Sequence, residues 1–299
     1  MDLAAVVVCN RQHDPRILLD HRHAQPALPT AALDGPQHKT LEKALRQHVY
    51  RQHGLELGYV EQLYTFADWG RDASCPTNRR CVTTAYLALT RLADIRPSDG
   101  DWHPLYRFLP WEDWRRGRPP LLTEQLQPAL EQWLRHIQPD TALRQRLRLA
   151  FPLDDEQWDP ERVLERYELL YQARLVAEYY HDHNRPPPTS LPAGGQWLAK
   201  DHRRMLATAL GRLRGKLKYR PVVFELLPET FTLLQLQKLV ESLAGHPLHK
   251  QNFRRLVEQA QLVEGTGRYS SSGRGRPAEL FRFRQAVLLE RPAPGLRIR

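Results

Sequence analysis

Residues 184–195 read NRPPPTSLPAGG, and no regular element passes through that stretch. Three consecutive prolines offer no amide donor and fix their own backbone, and the closing Gly-Gly favours a turn. The chain is therefore expected to fold in parts on either side of it, with this segment as the linker. The two sides also differ in charge. Residues 201–299 hold 19 Lys/Arg against 8 Asp/Glu, whereas residues 1–200 hold 25 against 26. All of the formal charge of +10 thus lies in the last third. That asymmetry points to a polyanion as partner of the C-terminal part.

At 299 residues two or more domains are expected, each large enough to bury a core. With 41% hydrophobic and 26% charged residues the chain reads as globular. It has no apolar run of about 18 residues, so no membrane span is expected. The opening MDLAAVVVCN is short and lacks the basic flank of a leader. The three cysteines, Cys9, Cys75 and Cys81, form no CxxC pair. Neither a disulfide nor a cysteine metal site is expected, and the setting reads as the cytoplasm.

The first part alternates strand and helix signals. AAVVVC (Ala4–Cys9), RILLD (Arg16–Asp20), YVEQLYTFAD (from Tyr59) and CVTTAYLALT (Cys81–Thr90) read as strands, and a helix over residues 40–53 lies among them. GRPP at Gly117–Pro120 marks a boundary. Residues 121–184 read as mostly helical, the clearest piece being DPERVLERYELLYQARLVAEYYHDH, with Asp159 as cap and Pro160 in the first turn. Beyond residue 201 come three helices and a two-stranded ribbon. Thr232 and Gln235 form a capping box, and Gly245 stops that helix. This order predicts an α+β chain in three parts. Residues 1–120 form an α/β/α sandwich, 121–198 a helical connecting segment with the linker, and 199–299 a winged helix-turn-helix.

The stretch KTLEKALRQHVYRQHGL, Lys39 to Leu55, places Leu41, Ala44, Leu45 and Val49 on one apolar stripe and ends at Gly54. Its setting between strands resembles the Nudix hydrolase fold, whose signature reads G-x5-E-x7-R-E-U-x-E-E-x-G-U. Gly54 and Leu55 match the last two positions. Where the family has glutamates, this sequence has His48, Arg51 and Gln52. Gln47 replaces its arginine, and Lys39 its upstream glutamate. Mg²⁺ needs hard oxygen ligands, and the cations Arg51 and Lys39 repel it. Without the metal neither the attacking water nor the leaving phosphate is activated, so no hydrolysis is expected. No metal or cofactor is expected. A transition-metal site from His38, His48 and His53 is disfavoured, because His48 and His53 are five residues apart and face different ways. HDH at His181–His183 and HRH at His21–His23 read as solvated histidines.

In the basic part, the third helix turns Phe253, Leu256, Val257 and Ala260 inward and Lys250, Gln251, Asn252, Arg254 and Arg255 outward. These are residue types that read base edges in the major groove. Gly245-His246-Pro247 would be the turn before it. SSSGRGRP, with Arg274 and Arg276, would be a cationic wing tip against phosphate or the minor groove. For Arg212, Arg214, Lys216 and Lys218 on the first helix, phosphate contact, dimer contact and solvation stand equal.

Together these halves resemble the Nudix-related transcriptional regulators of NAD metabolism, the NrtR family. The resemblance is carried by LYTFADWGRD (Leu63–Asp72), TTAYLAL (Thr83–Leu89), GRLRGKLKYRPVVFELLPETFTLLQLQ (Gly211–Gln237), KQNFRRLV (Lys250–Val257) and GRPAELFRF (Gly275–Phe283). It covers roughly residues 4–90 and 200–285. The Nudix box is degenerate, and the helical segment from about residue 125 is extra or longer than in typical members. The resemblance implies a homodimeric bacterial repressor that binds operator DNA and senses ADP-ribose or a related NAD-derived nucleotide. It implies DNA contacts from Asn252, Arg254, Arg255 and Arg276, and effector contacts from Arg71 and Asp72, while for Arg71 a structural ion pair stands equal. His48 and Arg51 line the expected effector side of the degenerate helix. Two readings compete. One is a Nudix hydrolase of a nucleoside diphosphate derivative using other acids, such as Glu56 or Glu61. The other is a scaffold that binds nucleic acid without specificity.

Overall fold

The computed structural model describes the chain except residues 21–24, 34–37, 72–74, 77, 92–100, 138–139, 152–157, 193, 271–276, 291–294 and 297–299. His21–His23, Asp72, Arg274 and Arg276 lie outside the described residues.

The first unit is a sheet between helical layers. Strand β1 (Asp2–Arg11) is central. It pairs antiparallel with β2 (Asp14–Leu19) and β3 (Thr30–Ala32) and parallel with β5 (Thr83–Leu89). β4 (Tyr59–Phe66) forms one edge against β5, and β6 (Asp101–Pro104) the other against β2. Residues 3–9 of β1 are all buried because both faces of the strand are covered, which explains its unbroken apolar run. Leu3, Ala5 and Val7 face α1 (Leu41–His53), where they meet Ala44, Leu45 and Val49. Ala4, Val6 and Val8 face the other way into a second, larger core.

That larger core crosses every boundary expected from the sequence. It takes in the opposite sheet face, Leu130 of α2 (Gln127–Ile137), Leu147 of α3 (Thr141–Ala150) and Tyr167 of α4 (Val163–Gln172). It continues into α6 (His202–Leu217) and α7 (Leu233–Ala244). The divisions expected near residues 120 and 198 are changes of sequence character rather than gaps in packing. α6 is the clearest case. It was expected to open the basic domain, yet it lies against β1, β4 and β5 as a second layer over the sheet. Among its residues Arg212 is exposed, whereas Arg214 is buried, and Lys216 pairs with Glu61 at 3.0 Å. Lys218, just beyond it, pairs with Glu161 at 2.5 Å.

Two other expectations change. The helix predicted through residue 183 breaks at Arg174, whose φ is +60°, and resumes as α5 (Ala177–Asp182). Asp159 accepts from the Glu161 amide at 2.9 Å, but the α-helix starts only at Val163. The linker is no free spacer at its far end. Gly195 has φ +81°, and a Cβ there would stand 2.8 Å from the Arg107 carbonyl oxygen.

What holds these layers in register is a buried charge cluster. Glu112, fully buried, accepts from Arg166 Nε at 2.6 Å and Nη2 at 2.9 Å, and from Arg214 Nη1 at 2.5 Å. Arg214 also donates through Nε to the Leu243 carbonyl at 3.1 Å. Arg166 donates to the carbonyls of Ala150 and Asp159 and lies over the Trp158 ring. Sheet unit, connecting helices and C-terminal helices thus meet on one carboxylate. A second buried pair, Arg203–Glu178 at 2.5 Å, ties α6 to α5. Removing one member of such a cluster leaves buried charge without an answer. Glu112→Ala is expected to destabilise the fold by about 3–5 kcal/mol, read as a lowered thermal midpoint in calorimetry.

Candidate nucleic-acid and effector sites

α7 begins with the expected capping box: Thr232 Oγ1 accepts from the Gln235 amide, and the Gln235 side chain accepts from the Thr232 amide. It ends at Gly245, φ +79°. Here a side chain is excluded twice over, by the backbone angle and by space. A Cβ would lie within 2.5 Å of the Glu112 carbonyl oxygen and closer still to Arg214 Nη2. The helix end is therefore seated on the charge cluster. Tyr106 Oη donates to the Ser242 carbonyl at 2.7 Å, Asn10 Nδ2 to Ser242 Oγ at 2.8 Å, and the Trp114 amide to the Gly245 carbonyl at 2.6 Å.

The turn that follows is set by two side chains that the sequence did not single out. Glu241 Oε1 accepts from the Leu248 amide at 3.1 Å and from Gln237 Nε2 at 2.9 Å, and Gln237 Nε2 also donates to the Leu248 carbonyl at 3.0 Å. Burial works against the Glu241 carboxylate, but the Lys238 ammonium, the Leu248 amide and Gln237 outweigh it and hold it below the usual range. The signal was available in the i, i+4 spacing of Gln237 and Glu241; nothing in the sequence said that both turn inward.

α8 (Lys250–Ala260) follows, with Phe253 and Val257 buried and Leu256 and Ala260 half-buried. Lys250, Gln251, Asn252, Arg254 and Arg255 are all exposed, and none makes a side-chain hydrogen bond or ion pair among the described residues. Five donor-rich side chains thus stand together at the start of one helix without internal partners. β7 (Val263–Ser270) and β8 (Ala278–Phe283) pair antiparallel behind it, and Phe231 bridges to Phe281 as a short third strand. The expected helix-turn-helix and ribbon are both present.

The Nudix-type helix ends at Gly54 as expected, a left-handed C-cap, and Thr40 caps its start. His48 and Gln52 are half-buried and Arg51 is exposed. Its one carboxylate, Glu42, pairs with Arg46 at 2.8 Å, and Arg46 also donates to the carbonyls of Leu57 and Gly58. Glu61, one of the substitute acids, is engaged by Lys216 and accepts from Tyr59 Oη at 2.7 Å. No group of three or more His, Cys, Asp and Glu residues among the described ones is placed to hold a metal. His48, Arg51 and Gln52 bring no carboxylate to this face, and such a donor set does not suit Mg²⁺.

Arg71 stands in an ion pair, the second of the two roles open to it from the sequence. It is buried, donating to both Asp201 oxygens at 2.8 and 2.5 Å and to Thr83 Oγ1 at 2.9 Å. It clasps the sheet unit to the residue preceding α6. Cys75 and Cys81 are joined as a disulfide, against the sequence expectation of free thiols. Two cysteines six residues apart satisfy no common motif, so only the fold brings their Cα atoms to 6.0 Å.

Residues 223–283 match the family described as the NrtR DNA-binding winged helix domain. Over 86 residues the chain is 41% identical to the ADPR responsive transcriptional repressor NtrR of Acinetobacter baylyi. That match takes in 29% of this chain and 34% of the relative, so it spans about a third of that protein's length. Shewanella oneidensis NrtR, solved in complex with a 27mer DNA, superposes with a TM-score of 0.58 at 22% identity, over 96% of this chain and 94% of that one. A MutT/nudix family protein from Enterococcus faecalis gives 0.52 at 16% identity, over 95% and 87%. At these identities the structural likeness is one of fold: a Nudix-like α/β/α sandwich followed by a winged helix.

His246, in the turn between α7 and α8, gives the site a pH dependence. Burial foremost, then the Arg214 guanidinium, holds its imidazole below the ordinary value of 6.5, against the opposing pull of the Pro247 carbonyl. In the interval just below 6.5 the unfolded chain binds a proton that the folded chain refuses. Stability therefore rises with pH through that interval and is lost as pH falls. His246→Asn is expected to flatten the dependence of the thermal midpoint on pH just below 6.5.

Proposed function

With an NrtR-type winged helix carried on a Nudix-like fold, we infer that this chain is a bacterial DNA-binding transcriptional regulator. Its Nudix-like part senses a nucleotide without hydrolysing it. The observation that carries this reading is the exposed, unpartnered face of α8, held on a turn clamped by Glu241 and Gln237. Arg or Lys toward guanine and Asn or Gln toward adenine is the chemistry such a face offers in a major groove. Lys250, Gln251, Asn252, Arg254 and Arg255 are assigned to DNA, joined by Arg274 and Arg276 of the wing tip.

The effector is ADP-ribose or a related NAD-derived nucleotide, in line with the name of the Acinetobacter relative. His48 and Arg51 remain the residues assigned to it on the sheet unit. The loss of carboxylates at the positions of the Nudix box supports binding without cleavage. The protein acts as a cytoplasmic homodimer on a palindromic operator. Tyr64 and Trp69, 62% and 60% exposed on edge strand β4 and just after it, offer apolar surface for a second copy. No helix among the described residues is long and apolar enough to cross a membrane.

An operator selected from random duplexes provides the test, with binding read by fluorescence anisotropy. Arg254→Ala is expected to weaken the specific complex by about 1–3 kcal/mol and relax selectivity at one base pair. Lys250→Ala, which removes one cation from the DNA-facing side, is expected to lower the salt slope by about one. Specific binding that survives Arg254→Ala combined with Arg276→Ala would overturn the assignment. With ADP-ribose and Mg²⁺ or Mn²⁺ present, the wild-type complex is expected to dissociate while chromatography shows intact ADP-ribose. EDTA-sensitive turnover above the blank would make the chain a hydrolase.

A further inference from the structure

The Cys75–Cys81 disulfide lies in the connection between β4 and β5, and nothing proposed above uses it. Both cysteines are half-buried. Cys9, by contrast, is buried, and burial pushes its thiol up to about 12, which makes it a poor nucleophile. The chain therefore holds one inert thiol and one accessible bonded pair.

The position of that pair is what gives it consequence. Arg71 precedes it and Thr83 follows it, and the two are joined by the 2.9 Å bond from Arg71 Nη1 to Thr83 Oγ1. The disulfide is thus a smaller closure nested inside a larger one. The same guanidinium is the clasp on Asp201, the residue at the start of α6. α6 in turn carries Arg214, which reaches the end of α7. A cross-link between residues 75 and 81 removes chain freedom from the segment that must hold Arg71 and Thr83 together. Without it, the same clasp has to order a looser connection. Two exposed cations, Arg79 and Arg80, lie within the closed loop, and Arg80 sits over the Trp69 ring at 5.7 Å. They give the approach to the sulfurs a positive field, which suits an anionic reaction partner.

We propose that Cys75 and Cys81 form a thiol–disulfide exchange site for an anionic low-molecular-weight disulfide of the glutathione type, and that its redox state sets how firmly Arg71 holds the start of α6. In oxidation, one cysteine thiolate attacks the external disulfide. The external S–S bond breaks, and one thiolate leaves with the bonding pair. The second cysteine thiolate then attacks the protein sulfur of the mixed disulfide, and the other external thiolate leaves. The protein pair loses two electrons and two protons, and the external disulfide becomes two thiols. Reduction runs the same steps backwards.

The test uses the full chain equilibrated across a series of reduced and oxidised glutathione. Accessible thiols are counted by alkylation and mass spectrometry, and amide exchange is followed over residues 63–83 and 201–206. Two accessible thiols are expected at the reducing end and none at the oxidising end, with Cys9 unlabelled throughout. In Cys75→Ser, a glutathione adduct at Cys81 is expected to accumulate. Exchange at residues 201–206 is expected to be about fivefold or more faster in the reduced protein. In the Cys75→Ser/Cys81→Ser double variant that redox dependence disappears. Thiols that stay reduced across the whole series, or equal exchange at residues 201–206 in the two states of the wild type, would overturn the proposal. The wild-type comparison decides this even if the variants fold poorly. Neither readout involves DNA or a nucleotide, so the outcome is separable from that of the regulator reading.

Discussion

Glu112 is a carboxylate without solvent contact that answers two guanidinium groups at once, from Arg166 and Arg214. Taking three charges out of water is costly, and the arrangement persists only because each donor finds an acceptor. The two arginines exceed the one carboxylate in charge, and the carbonyls of Ala150, Asp159, Pro160 and Leu243 take up the remaining donors. Those carbonyls come from three different stretches of chain. The cluster therefore demands that sheet unit, connecting helices and winged helix all be in place before any one of its bonds is good. It gives specificity of arrangement more than net stability, since apolar packing in the same volume would serve stability as well.

The position of α6 follows from that demand. As a helix over the sheet it belongs to the Nudix-like sandwich; as the first of three helices before a ribbon it belongs to the winged helix. Asp201 and Lys216 hold it to the sheet unit, Arg203 and Arg204 to the connecting helices, and Arg214 to the end of α7. Arg214 of α6 lies against Gly245 and donates to the Leu243 carbonyl, so the end of α7 is seated on the same helix that covers the sheet.

Local elements were legible from the residues alone. β1 declares itself by an unbroken apolar run, α7 by its capping box and terminal glycine, and α8 by the spacing of Phe253 and Val257. The exposed face of α8 followed by subtraction: once the apolar positions turn inward, Lys250 through Arg255 has one side left. Charged residues were not legible where their fate depends on distant chain. Arg71 stands in a motif that suggested a ligand, and its partner Asp201 is 130 residues away. Arg214 looked like one of four equivalent cations on a basic helix, yet it is buried while Arg212 is exposed. Glu112 offered no signal at all.

The sequence by itself determined the type of the main elements, the face that α8 presents and the presence of His48, Arg51 and Gln52 on the Nudix-type helix. These depend on backbone periodicity, capping and the chemistry of single side chains, all of which act within a few residues. Only the tertiary structure decided that α6 serves two units, that Arg71 is a clasp, that Cys75 meets Cys81 and that three parts of the chain converge on Glu112. Those outcomes depend on which charges lose their water, and burial is a property of the assembled chain, not of any residue in it.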